Sequence, residues 1–187
     1  MNSPEETGSF KVAVQKLREG DTQAENEIWS MVYGELKNLA RRRLRGGPAR
    51  TLTTTVLIHE VYIKLFSGEP LSINDRQHFL ALCCRAMRMV MVQHYRQREA
   101  QKRQAEGNAI TLVEEGLGSG SRALDVVALD EALSELKSID PRLATIVDFR
   151  VFGGLNNGEI AELLQVTTRT VERLWTKAKL LLLDMLQ

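Results

Sequence analysis

The chain has little of the residue types that most often carry chemistry in proteins. Its 187 residues include only 2 cysteines and 3 histidines, and the cysteines, Cys83 and Cys84, are neighbours within an apolar helical pattern. Neighbouring residues on a helix point about 100° apart, which suits a disulfide poorly. No histidine or further cysteine stands at a metal-ligand spacing from them. We therefore expect no disulfide and no metal site, and interpret both cysteines as small apolar residues in a reducing compartment.

Motifs of known enzymes are also missing. The pair His59-Glu60 begins like the zinc-protease motif His-Glu-x-x-His, but position 63 is Ile63 instead of a second histidine. No glycine-rich phosphate loop is present, and no serine or cysteine has the sequence context of a nucleophile. The sequence therefore predicts no catalytic residue, no cofactor and no enzymatic activity.

Long apolar runs are absent as well. No run approaches the roughly 18 to 20 apolar residues that span a bilayer, and the N-terminus has no apolar signal core. We expect a cytoplasmic protein that does not contact the membrane. The formal net charge is only +1, but basic residues concentrate in 41–50 and 85–103 and acidic residues in 5–35 and 114–135. Such segregation suits phosphate binding, although an ordinary solvated surface would also explain either basic run.

Every segment with a clear apolar pattern has the period of a helix, so the predicted fold is all-α. Helix starts are marked by Thr53 to Thr55 and by Asn74, which stands three residues before a glutamine as in a capping box. The period fades over 98–122, where glycine and serine accumulate. The prediction is two small helical domains, 1–97 and 123–187, joined by a flexible linker, 98–122.

The end of the chain carries the clearest start and stop signals for helices. Asp140 followed by Pro141 indicates a helix cap with proline in the first turn. Asn156 and Glu159 have the spacing of a capping box, which predicts a short helix after Gly153-Gly154.

A tight turn at Gln165 and a capping Thr167 then introduce a longer helix. This order is typical of a helix-turn-helix, whose second helix lies in the DNA major groove. Glycine would adopt a positive φ in such a turn more cheaply than Gln165 does. A solvated face on a packed helix is the alternative explanation for the basic residues. The residues predicted to contact DNA are Thr168, Arg169, Thr170, Arg173 and Lys177.

The fourth helix of the first domain carries a second basic pattern. Arginines recur along one stripe of this helix, with an amide and an aromatic ring between them. Arginine suits phosphates, amides suit base edges and flat rings suit base stacking. An ordinary exposed helix face is the alternative. The residues predicted to bind a nucleic-acid strand are Arg85, Arg88, Gln93, His94 and Arg96.

The two halves together resemble bacterial RNA polymerase sigma factors of the extracytoplasmic-function (ECF) group, the compact kind with only sigma regions two and four. The resemblance rests on the stretches 56–65, 78–96 and 140–171, taken in that order along the chain. It implies a sigma factor that binds core RNA polymerase and directs promoter recognition and transcription initiation.

The resemblance also implies roles for each half. Region two, about 22–97, would dock on the polymerase β′ clamp and open the −10 promoter element, and region four, about 124–187, would bind the −35 element through the last helix. The helix that meets the unwound −10 strand in the family matches by position the helix that carries Arg88, Gln93, His94 and Arg96 here. Arg85 is predicted to bind the strand from the arginine stripe alone, without support from the resemblance. The helix that faces the clamp in the family carries His59, Glu60 and Lys64 here.

The implied partners are promoter DNA, core polymerase through its β′ clamp and β subunits, and an anti-sigma factor, because such a protein often holds members of the family. Two other classes stay open at this point. One is a helix-turn-helix regulator that acts as a dimer without being a polymerase subunit, with residues 1–97 serving dimerisation or ligand sensing. The other is a helical adaptor that binds only proteins.

Overall fold

The structure is a computed structural model that describes residues 4–44, 52–68, 71–105 and 126–186. Within these ranges the chain forms α-helices and contains no strand, so the all-α prediction is confirmed. The last turn of α6 continues without a break into a π-helical segment, Asp148–Phe152, called the π segment below. The helices are α1 Pro4–Arg18, α2 Ala24–Leu44, α3 Thr54–Phe66, α4 Arg76–Ala105, α5 Val126–Ile139, α6 Pro141–Val147, α7 Asn157–Leu164 and α8 Thr168–Met185.

Helices α1 to α4 pack into a first unit, and the caps of α3 and α4 differ in how well the sequence predicted them. The predicted start of α3 is confirmed, because the Thr53 hydroxyl accepts a hydrogen bond from the Val56 N–H at 3.3 Å. The predicted cap of α4 at Asn74 is wrong. Asp75, one residue later, accepts from the His78 N–H at 2.8 Å, while the Asn74 N–H donates to His78 Nδ1. Both residue types suit a cap, and only the structure distinguishes them.

Helix α4 continues to Ala105 and so passes the expected domain boundary at 97. The residues 98–105 lack an apolar pattern but consist of arginine, lysine, glutamine, glutamate and alanine, all strong helix formers. Propensity therefore extends the helix where periodicity gives no signal. The rest of the predicted linker, 106–122, lies outside the described residues.

Helices α5 to α8 and the π segment form a second unit. The Asp140 side chain caps α6 by accepting from the Arg142 N–H at 3.0 Å, with Pro141 in the first turn. At the start of α7 the Asn156 side chain accepts from the Glu159 N–H at 2.9 Å, and the Glu159 carboxylate accepts from the Asn156 N–H at 2.8 Å. Both predicted caps are confirmed.

The two units pack against each other, and α4 lies between the rest of the first unit and the α5 and π-segment side of the second. Their buried side chains belong to one apolar cluster. Two glycines allow this close approach. A Cβ on Gly153 would lie 3.1 Å from Cys84 Sγ and 2.6 Å from the Phe149 carbonyl oxygen, and a Cβ on Gly154 would lie 3.3 Å from the Cβ of Arg42. We call the contact between the two units the seam.

Candidate nucleic-acid interface

The turn between α7 and α8 has the geometry that the sequence predicted. Gln165 adopts φ 53° and ψ 41°, the left-handed conformation that glycine reaches more cheaply. The Val166 N–H returns to the Ala161 carbonyl at 3.0 Å, which satisfies the end of α7. Thr167 then caps α8 by accepting from the Thr170 N–H at 3.2 Å. A short helix, a tight turn and a longer helix therefore follow one another as in a helix-turn-helix.

Helix α8 divides into an apolar side and a cationic edge. Val171, Ala178 and Leu182 are buried against the second unit. The predicted DNA-contacting residues lie on other sides of the helix: Thr168, Arg169, Arg173 and Lys177 are exposed, and Thr170 is half-buried. The Thr170 hydroxyl lies 3.0 Å from that of Thr167, so it also helps to hold the cap.

One basic residue near this edge, Arg142, is not among the DNA contacts that the sequence predicts. Arg142, at the start of α6, is 76% exposed and pairs with Asp140 at 3.0 Å. Hydrogen bonds from Arg142, together with its charge and that of Lys177, hold the pKa of the Asp140 carboxyl below its ordinary value. Arg142 and Lys177 therefore both lie near Asp140, although they are far apart in sequence. The stretch Asp140-Pro141-Arg142, which also carries the resemblance, was the available signal.

Trp175 lies on the half-buried side of α8. Its ring packs against the apolar cluster. The guanidinium of Arg150 lies 4.8 Å from the ring centroid and the Lys179 ammonium 5.8 Å from it. Arg150 also donates a hydrogen bond to Asn157. The indole therefore joins α8 to the π segment and is not an open platform for base stacking.

In the first unit, α3 and α4 border an open cleft of about 300 Å³. Its lining brings together Gln93 and Arg96, predicted to bind a nucleic-acid strand, and Lys64, predicted to face the polymerase. Gln93 and Arg96 are exposed, and His94 is half-buried. Asp130, from α5 of the second unit, lies on the wall of the same cleft. The cleft therefore combines cationic and amide groups with one acidic group from the opposite unit.

The expected stripe of exposed arginines is wrong at Arg88, which is only 4% exposed. Its Nε lies 3.3 Å from Asp130 Oδ1 and its Nη1 lies 3.1 Å from Asp148 Oδ1. The physical reason is the packing at the seam, where α5 and the π segment cover the side of α4 that a lone four-helix unit would expose. Arg85, one turn earlier, is half-buried.

The predicted polymerase-facing residues lie on one exposed side of α3. His59, Glu60 and Lys64 are exposed. Two apolar side chains accompany them, Val56 at 45% and Ile63 at 40% exposure. Large apolar groups grouped with polar ones on a surface are typical of a protein contact.

Helix α3 contains the stretch 56–65, and α4 contains the stretch 78–96. The third stretch, 140–171, runs from the cap of α6 to the start of α8. A family model described as ECF sigma factor matches residues 8–186, nearly the whole chain. The chain belongs to the ECF sigma factor family. It is a sigma factor with a role in transcription initiation, and its family implies binding of core RNA polymerase and promoter DNA, and often of anti-sigma factors. Comparison with curated proteins and with solved structures found no match.

The seam gives this sigma factor an unusual titrating group. Burial raises the pKa of Asp148 to about 6, against the opposing charges of Arg88 and Arg85. The charge of Asp130 raises that pKa further, and Lys137 lowers it. At neutral pH the Asp148 carboxylate is therefore ionised and faces the guanidinium of Arg88.

In the ranges that the structure describes, no group of three or more histidine, cysteine, aspartate or glutamate side chains is placed to hold a metal ion. None of the helices there combines the length and the apolar character that a membrane-spanning segment needs.

Proposed function

We propose that this sigma factor binds the −35 promoter element through the start of α8 and the unwound −10 strand through the cleft of the first unit, while α3 contacts the β′ clamp of core RNA polymerase. The observation that carries the proposal is the division of α8. Its apolar side is buried, and its cationic edge faces solvent directly after a left-handed turn. A free helix edge of this kind is what a major groove accepts.

Within α8 the exposed basic residues divide by position. Thr168 and Arg169 lie in the first turn, where side chains of a recognition helix reach base edges. Arg173 and Lys177 follow at four-residue steps and suit phosphates. Arg142, near Lys177, extends the same cationic surface. Base contacts from the first turn of α8 would give sequence specificity. Phosphate contacts along the helix would fix its position on the DNA.

In the first unit, Gln93, Arg96 and Lys64 line an open cleft. Unwinding a duplex costs about 1.4 kcal/mol of stacking per base-pair step, more than so small a cleft would recover alone. That cost favours joint action with a large partner, and the exposed side of α3 offers a surface for one. Two weak DNA contacts in one chain also reinforce each other through effective concentration.

Transcription with reconstituted holoenzyme tests the proposal. Core polymerase with the wild-type protein is expected to give promoter-specific transcripts from a library of upstream fragments, and the double variant Arg169→Ala, Arg173→Ala is expected to lose most of them. Lys11→Ala removes an exposed charge from α1 and serves as the matched control. A stable dimer that protects a symmetric operator, with no transcript from the holoenzyme, would instead identify a regulator that is not a polymerase subunit.

Regulation by an anti-sigma factor is a further part of the proposal. Members of the family are often held by such proteins. An anti-sigma factor would compete with polymerase or DNA for the surfaces described above. Capture from the source cells with and without added core enzyme would test this competition.

A further inference from the structure

The end of α8 carries two leucines that lie largely outside the core of its own unit. Leu182 is buried, and Leu181 packs against the apolar cluster. Leu180 and Leu183 are instead 64% and 62% exposed, more than any other large apolar side chain in the described residues. A single exposed apolar side chain is ordinary on a protein surface, but these two lie one helical turn apart. We call them the leucine strip, a candidate contact surface.

The leucine strip has the spacing of a coiled-coil contact. Positions in a coiled coil are lettered a to g, with apolar residues at a and d and charged residues often at e and g. With Leu180 at a and Leu183 at d, Lys179 takes the preceding g position and Asp184 the following e position, and both charges are exposed. In two parallel helices, a g residue lies beside the e residue five positions later in the other helix. Lys179 would therefore lie beside Asp184 of a second copy, and two-fold symmetry gives this ion pair twice.

The order of these two charges favours a second copy in parallel orientation. In an antiparallel pair, g positions lie beside g positions and e beside e, so lysine would meet lysine and aspartate would meet aspartate. Within one α8 the two side chains lie about 140° apart around the helix. Among the described residues neither Lys179 nor Asp184 forms an ion pair, and the Lys179 ammonium lies 5.8 Å from the Trp175 ring centroid. Both charges therefore remain available to a partner helix.

We propose that the last two turns of α8 pair in parallel with those of a second copy of this chain, through the leucine strip and two ion pairs between Lys179 and Asp184. Arg173 occupies the preceding a position, where two like charges would meet, so the contact is confined to the end of the helix. Four leucines and two exposed ion pairs form a small interface, which corresponds to a dissociation constant on the order of 100 μM. The pairing concerns the free protein and does not depend on the proposed promoter contacts.

Sedimentation velocity of the full chain, over concentrations that span this value, tests the pairing. The wild type is expected to shift from monomer to dimer. The double variant Leu180→Gln, Leu183→Gln is expected to dimerise at least about tenfold more weakly, because the leucines supply most of the apolar area of the contact. Both positions are exposed, so the helical content measured by circular dichroism should stay unchanged. Lys11→Glu, an exposed change on α1, serves as the control. A wild type that stays monomeric throughout, or a leucine variant that dimerises equally, would overturn the proposal.

Charge exchange tests the partner and its orientation. Lys179→Glu places glutamate beside aspartate in a parallel pair, and Asp184→Lys places lysine beside lysine, so each is expected to weaken dimerisation about fivefold. The double variant Lys179→Glu, Asp184→Lys restores opposite charges at both places and is expected to regain the wild-type dissociation constant. In an antiparallel pair like charges meet before and after either single change, so dimerisation would not respond. Single variants that dimerise like the wild type, or a double variant that fails to regain it, would overturn the parallel pairing.

A different occupant of the leucine strip would give a different result. If the leucine double variant dimerises like the wild type but no longer captures core polymerase, the strip belongs to the polymerase contact and the pairing is disproved. If the charge exchange behaves as expected while wild-type holoenzyme gives no transcript from any fragment, the pairing holds and only the proposed function is disproved.

Discussion

The Arg42 guanidinium lies 2.6 Å from the Glu159 carboxylate, although the two residues are 117 positions apart in sequence. Arg42 comes from the last turn of α2 in the first unit, and Glu159 belongs to the capping box of α7. Burial raises the pKa of Glu159, but the Asn156 N–H and the Arg42 guanidinium outweigh it and hold that pKa below its ordinary value. One carboxylate thus stabilises the start of α7 and contacts the other unit.

Glu159→Ala is expected to lower the free energy of unfolding by about 1 kcal/mol, mainly through loss of the capping box, with a smaller part from the exposed ion pair. Urea denaturation followed by circular dichroism measures the change. Glu162→Ala removes an exposed acid from the same helix and is expected to have little effect. Equal losses in the two variants would contradict a special role of Glu159.

Replacing Gln165 with glycine is expected to stabilise the protein by about 0.5 to 1 kcal/mol, because the residue has φ 53° and glycine adopts positive φ without strain. Thermal unfolding would show a higher midpoint. Thr176→Gly, on the exposed side of α8, should instead lower the midpoint, since glycine weakens a helix interior by a similar amount. A lower midpoint for Gln165→Gly would show that the left-handed turn is not maintained.

Asp148→Asn is expected to change how stability depends on pH. The folded-state pKa of Asp148 is about 6, against an ordinary value of 3.8. Between these values the folded chain holds a proton that the unfolded chain has released, so the free energy of unfolding falls as pH rises through this window, by up to about 3 kcal/mol. Below pH 3.8 the titration of Asp148 does not change the free energy of unfolding with pH. Above about pH 6 the whole loss of stability from this group has occurred.

Urea denaturation at several pH values between 4 and 7.5 would measure this effect as the difference between wild type and Asp148→Asn. The other titrating groups are common to both proteins and cancel in the difference. Wild type should lose stability relative to the variant as pH rises through the window. Parallel curves for the two proteins would show that folding does not raise the pKa of Asp148.

Arg142→Ala is expected to weaken binding of −35 duplexes about equally across sequences and to reduce the dependence of log affinity on log salt by about one unit, as loss of one phosphate contact does. Fluorescence anisotropy over a range of salt concentrations measures both quantities. Lys11→Ala serves as the control from the first unit. A change of sequence preference instead of a uniform loss would assign Arg142 to a base contact.

The helices of this protein could be predicted largely from local signals, because caps and apolar period act within a few residues. Asn156, Thr167 and the strained turn at Gln165 show this directly. The end of α4 could not be placed by period, since its last turns depend on propensity alone. Local signals also place Asp75 and Asn74 equally well as caps.

The seam was beyond prediction from the sequence because it joins residues that are distant along the chain. Periodicity shows that Arg88 lies opposite the core of its own unit, and that is correct for a four-helix unit alone. It cannot show that α5 and the π segment cover that side. Asp148, between the apolar residues Val147 and Phe149, was an available sign of a buried polar contact.

The packing of Cys84 against Gly153 has a practical consequence. Burial raises the pKa of the Cys84 thiol, so the reactive thiolate is scarce and sheltered while the units are together. Separation would uncover the side of Cys84 that Gly153 covers. The rate at which an alkylating reagent labels this thiol would therefore report how often the two units separate, with no engineered label.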